Sequence, residues 1–227
     1  MRIHKLYILG LVFLLLGCSR DDKVALIYLD TNGITIKCDP SANVGDTYEV
    51  NGITYTIVNE DMLREMVAQG ADVTTVCTSR VTEMGSLFES RQFNEDISSW
   101  DVSKVTNMYD MFFNSTFNQD LAAWDVSRVE QMSFMFMYSS FNKDISNWDV
   151  SSVNEMALMF YSSSFNQDIS SWDVSNVTSM EYMFAETTFN QNLSEWNVEN
   201  VTQCELFSDN TPNWTLPKPE FTNCDPN

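Results

Sequence analysis

Carboxylates recur through this chain at a fixed step. Asp101, Asp125, Asp149 and Asp173 lie 24 residues apart, with Asn197 in the next place. A second row, Asp96, Asp120, Asp144 and Asp168, followed by Asn192, runs beside the first. Carboxylates can work as an acid and base pair, ligate Ca²⁺ or face a cationic partner. Paired work in a glycosidase needs a pocket, and acids spread evenly along a repeat do not describe one. Ca²⁺ takes about six to eight oxygen ligands, and this spacing matches no known calcium loop. On adjacent parallel strands about 4.8 Å apart, neighbouring charges repel by roughly 0.9 kcal/mol even in water. A cationic partner or Ca²⁺ offsets that, or each Asp is engaged locally by Ser hydroxyls and backbone N–H groups in a turn. The first makes Asp101, Asp125, Asp149, Asp173 and Asn197 a binding face for a basic protein. The last makes them structural, and turn chemistry favours it. No catalytic residue, metal or other cofactor is expected.

Nucleophilic chemistry has little to work with. The one His is His4, in a basic start with Arg2 and Lys5 that precedes an eleven-residue apolar run from Leu6 to Leu16. A membrane span needs about 20 residues, so the run fits the h-region of a secretory signal peptide. Its end, Leu15-Leu16-Gly17-Cys18, resembles a bacterial lipobox. That resemblance implies cleavage before Cys18 and a diacylglycerol on the Cys18 sulfur. Arg20-Asp21-Asp22 looks like the surface-export signal of some Gram-negative lipoproteins. Loss of residues 1–17 removes His4, which excludes Ser-His-Asp units, Cys-His units and His-ligated metal. Export places the remaining cysteines in an oxidising compartment. Cys38, Cys77, Cys204 and Cys224 allow three pairings, of which Cys38–Cys77 with Cys204–Cys224 is the economical one. A formal charge of -20 excludes nucleic acid, whose phosphates need a basic surface.

The elements that position these rows follow from the same period. Trp100, Trp124, Trp148, Trp172 and Trp196 step by 24, as do Phe93 to Phe189, Asn94 to Asn190 and Met84 to Met180, with no insertion or deletion over five copies. Such a period implies a solenoid in which each copy is one coil. Ile97, Trp100, Val102 and Val105 follow the leucine-rich-repeat frame. A short parallel strand is therefore expected at 100–102, 124–126, 148–150, 172–174 and 196–198, with the Asp outward on the concave side. A zeroth strand is expected near Val76–Thr78. Val105, Met108, Met111 and Phe112 are spaced like one face of a short helix on the other side, N-capped by Ser103. The Met residues read as core. The Asn row reads as a ladder that satisfies backbone groups. Positions that differ between copies carry Phe113, Met137, Tyr138, Tyr161 and Glu186 after the expected helices and Tyr109, Phe134 and Tyr182 within them. This variable aromatic stripe is either a partner-binding patch or partly buried packing, and packing is the expectation.

A bare coil cannot bury its own apolar face, so both ends need caps. Thr47–Val50 and Ile53–Ile57, around Asn51-Gly52, read as a type I′ hairpin. Asn59 to Gln69 reads as a helix, with Asn59 as N-cap and Gly70 at C′. Pro212, Pro217, Pro219 and Pro226 make the tail extended. The chain divides into a signal peptide (1–17), a lipidated tether (18–23), a hairpin-helix cap (24–72), the repeats (73–208) and a C-terminal cap (209–227).

Repeats such as Phe165-Asn-Gln-Asp-Ile-Ser-Ser-Trp-Asp-Val-Ser-Asn-Val-Thr-Ser-Met180 resemble those of the BspA-like leucine-rich-repeat surface proteins, a unit shared with mycoplasma surface-lipoprotein repeats. The resemblance covers roughly residues 73–208. It implies an α/β, leucine-rich-repeat-like solenoid, lipid-anchored at the outer membrane or cell surface. It implies adhesion to proteins of a host, a matrix or a neighbouring cell, without enzyme activity. Membrane contact is expected through the N-terminal lipid alone. The alternative is a structural envelope component that self-associates.

Overall fold

The computed structural model describes residues 26–227. The expected signal peptide (1–17), Cys18 and the expected tether (18–23) lie outside the described residues. Two small sheets open the described chain. Strand β1 (Ile27–Leu29) pairs antiparallel with β2 (Ile36–Cys38). Strands β3 (Thr47–Val50) and β4 (Ile53–Ile57) form an antiparallel hairpin. Asn51 and Gly52 have φ of 53° and 83°, the two positive values that a type I′ turn requires. Helix α1 (Glu60–Gln69) then crosses over to β5 (Val76–Cys77), which lies parallel to β4. Asn59 Oδ1 accepts from the Met62 N–H at 3.0 Å, and Gly70, with φ 67°, ends the helix. Leu63 and Val67 face inward and join the core of the repeats.

From there the chain winds in coils of 24 residues, and one core runs unbroken from Val58 to Trp214. The repeat holds neither the expected strand nor the expected helix. Trp100–Val102 and its equivalents are irregular chain between turns, and α1 is the sole helix among the described residues. Parallel contact comes later in each coil, where Glu83, Asn107, Gln131, Glu155, Ser179 and Gln203 bridge in sequence. Beyond the bridge lies a ribbon of reverse turns. Met111 N–H bonds to Met108 O at 3.2 Å, and Phe113 N–H to Asp110 O at 3.1 Å. The N–H groups of Met108, Asp110, Phe112 and Asn114 donate at 2.8–3.2 Å to Gln131, Ser133, Met135 and Met137 in the next coil. They bond forward between coils, so none is left to build a helix within one.

Ring spacing explains the choice. Phe88, Phe112, Phe136, Phe160 and Phe184 form one column with centroids 5.5–5.8 Å apart. Phe93, Phe117, Phe141, Phe165 and Phe189 form a second, at 6.1–6.3 Å. An α-helix is about 10–12 Å across with its side chains. Coils that each carried one could not bring equivalent rings this close. Stacked rings add about 0.5–1.5 kcal/mol per pair beyond burial. The Trp column has a polar duty as well. Each indole N–H donates to a carbonyl of the preceding coil, as Trp124 does to Ile97 and Trp148 to Leu121, both at 3.1 Å.

The ribbon has an unusual backbone. In every coil two residues have positive φ, such as Asp110 (58°) and Asn114 (49°), Phe134 (63°) and Tyr138 (56°). Positive φ at the third turn position is the type II pattern that favours glycine. Yet the chain has no glycine after Gly85.

Both ends of the stack are closed by side chains. The first ribbon has carbonyls with no earlier coil to accept from. Arg64 on α1 supplies donors, Nη1 to Gly85 O at 2.9 Å and Nη2 to Glu83 O at 3.2 Å. At the other end Trp214 sets its ring against Phe184, Phe189 and Phe207, and its Nε1 donates to Gln191 O at 2.9 Å. Thr215 and Leu216 N–H groups take the last Asn of the ladder, Asn190. A disulfide joins Cys204 to Cys224 with a Cα separation of 5.9 Å and ties the tail to the last coil.

Two stability outcomes follow. Arg64→Ala strands two carbonyls and should lower unfolding free energy by about 1–3 kcal/mol in urea titrations. An unchanged midpoint would show that water serves the edge equally well. Ser162 has φ 49°, and its hydroxyl makes no hydrogen bond. Ser162→Gly should relieve left-handed strain of about 1–2 kcal/mol against a smaller unfolded-state cost, and so raise the midpoint. Ser162→Val should lower it.

Candidate functional site

The Asp row expected to face a partner is occupied by its own turns. Asp125 Oδ1 accepts from Ser127 N–H at 3.2 Å and from its hydroxyl at 2.6 Å. Asp149 repeats this with Ser151 at 3.1 and 2.6 Å, and Asp173 accepts from Ser175 N–H at 3.1 Å. Asn197 does the same for Glu199 N–H at 3.1 Å with a neutral amide oxygen. An uncharged oxygen suffices, so the position is a turn-former first. Asp101 departs from outward exposure. It is 4% exposed, accepts from Ser79 Oγ at 2.5 Å as well as from Ser103, and has Lys37 nearby. The N-terminal unit covers this rung, with Ile36 N–H bonded to Ser99 O at 2.8 Å.

The second row behaves alike. Asp96, Asp120, Asp144 and Asp168 each accept from an N–H two residues on at 2.8–2.9 Å, and Asn192 does so at 3.1 Å. These bonds hold the Asp144 and Asp168 carboxyls below the usual range, and the Ser175 hydroxyl and N–H do the same for Asp173. The Asn row is a ladder between coils. Asn94 accepts from Asn118 N–H, Asn118 from Asn142, Asn142 from Asn166 and Asn166 from Asn190, at 2.8–2.9 Å. Among the described residues no group of three or more His, Cys, Asp or Glu is placed to hold a metal ion.

Cys38 and Cys77 differ from the expected bond. Both are buried free thiols in the small core beneath β2, β4 and β5. The neighbouring Cys77 thiol, with Ser79 and Arg80 behind it, lowers the Cys38 thiol. Cys38 and burial push the Cys77 thiol up. Cys77 also donates to Ile36 O at 3.7 Å. The strands hold the pair together without a covalent link.

A cleft of about 680 Å³ lies between the end of α1 and residues 90–95, lined by Gly70, Asp72, Arg91, Phe93 and Glu95 among others. Its acids are exposed, and Asp72 is engaged by Thr74 N–H and Oγ1 at 2.8 and 2.7 Å.

The turn ribbon is where copies differ, and its outward side chains form a face. Tyr109 and Tyr138 are 38% and 46% exposed. Tyr109 meets Phe134 at 5.2 Å. Phe113, Tyr138, Tyr161 and Tyr182 follow one another edge-to-face across four coils at 5.5–6.2 Å. The expectation of packing holds only in part, because the rings pack on one another and leave outer surfaces in water. Acids rim them. Glu89 lies beside Asp110, and Glu181 beside Glu205 and Glu155. Sequence reasoning named these residues but not their exposure. The signal was present in their variation, since positions that feed the core change little and stay apolar.

A family model described as "Mycoplasma protein of unknown function, DUF285" matches residues 59–162 and again 124–215. The chain belongs to this DUF285 family. The matches begin at the N-cap of α1 and reach Trp214, so they take in the cap helix together with the coils. The family's description carries no activity. No curated protein and no solved structure matches the chain.

In this DUF285 member burial raises several groups of the face, Tyr109, Tyr161 and Glu181 among them, and Asp110 stands well above its ordinary titration. Burial, with Glu89 adding to it, raises the Asp110 carboxyl to about 6. The unfolded value is about 3.9, so the folded state holds the proton more tightly. Stability is then lost as pH rises from about 4 through 6. Asp110→Asn should gain on wild type at pH 8, and the gain should shrink between pH 6 and 4 to the share due to Asn's ease at positive φ. Denaturant midpoints at three pH values test this; a difference independent of pH would contradict it.

Proposed function

We propose that the chain is a lipid-anchored binding module of the cell surface that adheres to proteins of a host, matrix or neighbouring cell. The supporting observation is the division between columns. Those that build the stack repeat with little change and stay apolar, while the exposed ribbon face carries aromatics that vary from coil to coil. Bulky Phe134, Tyr138, Leu158 and Tyr182 sit at positive φ, where glycine would be free of strain. Stability alone does not call for them there, and display does. The aromatic centre with a polar rim matches the anatomy of a protein interface.

The coils read as a solenoid with parallel bridges in place of full strands and a turn ribbon in place of helices. The repeat motif supports a place among the BspA-like surface lipoproteins. The basic start, apolar run and Leu15-Leu16-Gly17-Cys18 support export and an outer-membrane anchor through Cys18. No helix among the described residues is long and apolar enough to cross a membrane. The exposed cleft acids and the locally engaged Asp rows support a role without catalysis.

The test is adhesion of cells that carry the full chain to surfaces coated with host cells or matrix protein. Wild-type cells should adhere, cells with Cys18→Ser should release the chain and not adhere, and Asp149→Asn with Asp173→Asn should adhere as wild type. Adhesion equal to that of cells lacking the chain would sink the reading.

A further inference from the structure

We propose that the ribbon face binds an extended segment of a partner protein that presents arginine at every second residue. This rests on the reading of the chain as a protein-binding module and names the chemistry of its partner. Charge points to the sign of the occupant. The six turn ribbons, at 83–91, 107–115, 131–139, 155–163, 179–187 and 203–211, carry eight acids and one base, Arg91. Lys104, Arg128 and Lys143 lie in other parts of their coils. A second copy of the chain would set like charge against like on this face. A cationic segment instead meets Asp110, Glu181 and Glu186 around a centre of rings.

The rings select the kind of cation. Phe113, Tyr138, Tyr161 and Tyr182 meet at 69–89°, so the row offers ring faces and edges in turn. A planar guanidinium stacks on an aromatic face while its N–H groups reach a carboxylate, which a compact ammonium does less well. Such a row gives no continuous flat platform for a sugar.

Spacing selects the conformation. Side chains on one face of an extended chain recur about every 6.6 Å, two residues at about 3.3 Å each. Successive rings of the row lie 5.5–6.2 Å apart, centre to centre. Arginine at every second residue therefore meets successive rings, one from each of four coils. A helix, with side chains on one face about 5–6 Å apart, matches the distance too, but its width of about 10–12 Å would hold much of it away from the rim acids.

The experiment measures binding of fluorescent (Arg-Thr)₄, (Lys-Thr)₄ and (Glu-Thr)₄ peptides to the full chain in detergent. (Arg-Thr)₄ should bind several-fold more tightly than (Lys-Thr)₄, and (Glu-Thr)₄ should not bind. Tyr109→Ser with Tyr138→Ser keeps the net charge and removes the two most exposed rings. It should weaken (Arg-Thr)₄ about tenfold. Glu181→Gln with Glu186→Gln should also weaken it. Asp144→Asn with Asp168→Asn removes the same charge from elsewhere on the coils and should leave it within about twofold. Matched melting temperatures confirm that the variants fold, and Tyr138→Ser alone serves if the double variant does not. Equal binding of the arginine and lysine peptides overturns the proposal, and so do equal losses from the two acid-to-amide pairs. Adhesion that survives Tyr109→Ser with Tyr138→Ser overturns this site and leaves the adhesive role standing. Peptide binding without adhesion of cells overturns the adhesive role and leaves the site.

Discussion

Each coil hands four backbone N–H groups to the next, from positions such as Met108, Asp110, Phe112 and Asn114. Coil-to-coil distance at the ribbon is thereby held at about 4.8 Å, the separation of hydrogen-bonded neighbouring chains, and every side-chain column stays within contact distance. Phe rings can stack, an Asn amide can reach the next Asn N–H, and an indole can reach back to the previous carbonyl. All of these depend on a period that never changes. One inserted residue would take Trp, Phe and Asn out of column together, and the absence of any insertion over five copies follows.

The same constraint separates structural from displayed residues. A column inside the stack touches its own kind above and below, so one substitution disturbs two contacts. Asp and Asn in the turn rows are held nearly as firmly, because each accepts a hydrogen bond that sets the local chain direction. The outward ribbon positions escape. There Ser86, Asp110, Phe134, Leu158, Tyr182 and Leu206 occupy one column. Their shared backbone strain and unlike chemistry mark a place where the fold tolerates choice.

Much of this was legible from residues alone. Asn51-Gly52 signals the hairpin turn, Asn59 and Gly70 bracket the helix, and the period places the Trp and Phe columns. The interior of the coil was not legible. Apolar residues at Val105, Met108, Met111 and Phe112 suit one face of a helix, and they suit a ribbon of turns equally well, because both return a side chain to the same side every three or four residues. Glycine at the positive-φ positions would have announced the ribbon, and none stands at them. Trp100-x-Val102 alternates like a strand, but the parallel bridge forms at Asn107, where no apolar pattern marks it. For the candidate site, residue identity was readable and solvent exposure was not. Whether Tyr138 is covered depends on what the neighbouring coil places beside it. Cys38 and Cys77 come from two different sheets and meet in the small core between them, and proximity did not settle their chemistry.

The ladder of identical coils has a further meaning for assembly of the chain. Coils present nearly interchangeable surfaces, so a cap that skipped the end coil and joined the next would keep most of its contacts. What such a slip forfeits lies at the boundaries. Arg64 must find Gly85 and Glu83, and Cys204 must find Cys224. The termini therefore act as index marks on an otherwise degenerate scale, selecting one alignment among near-equals.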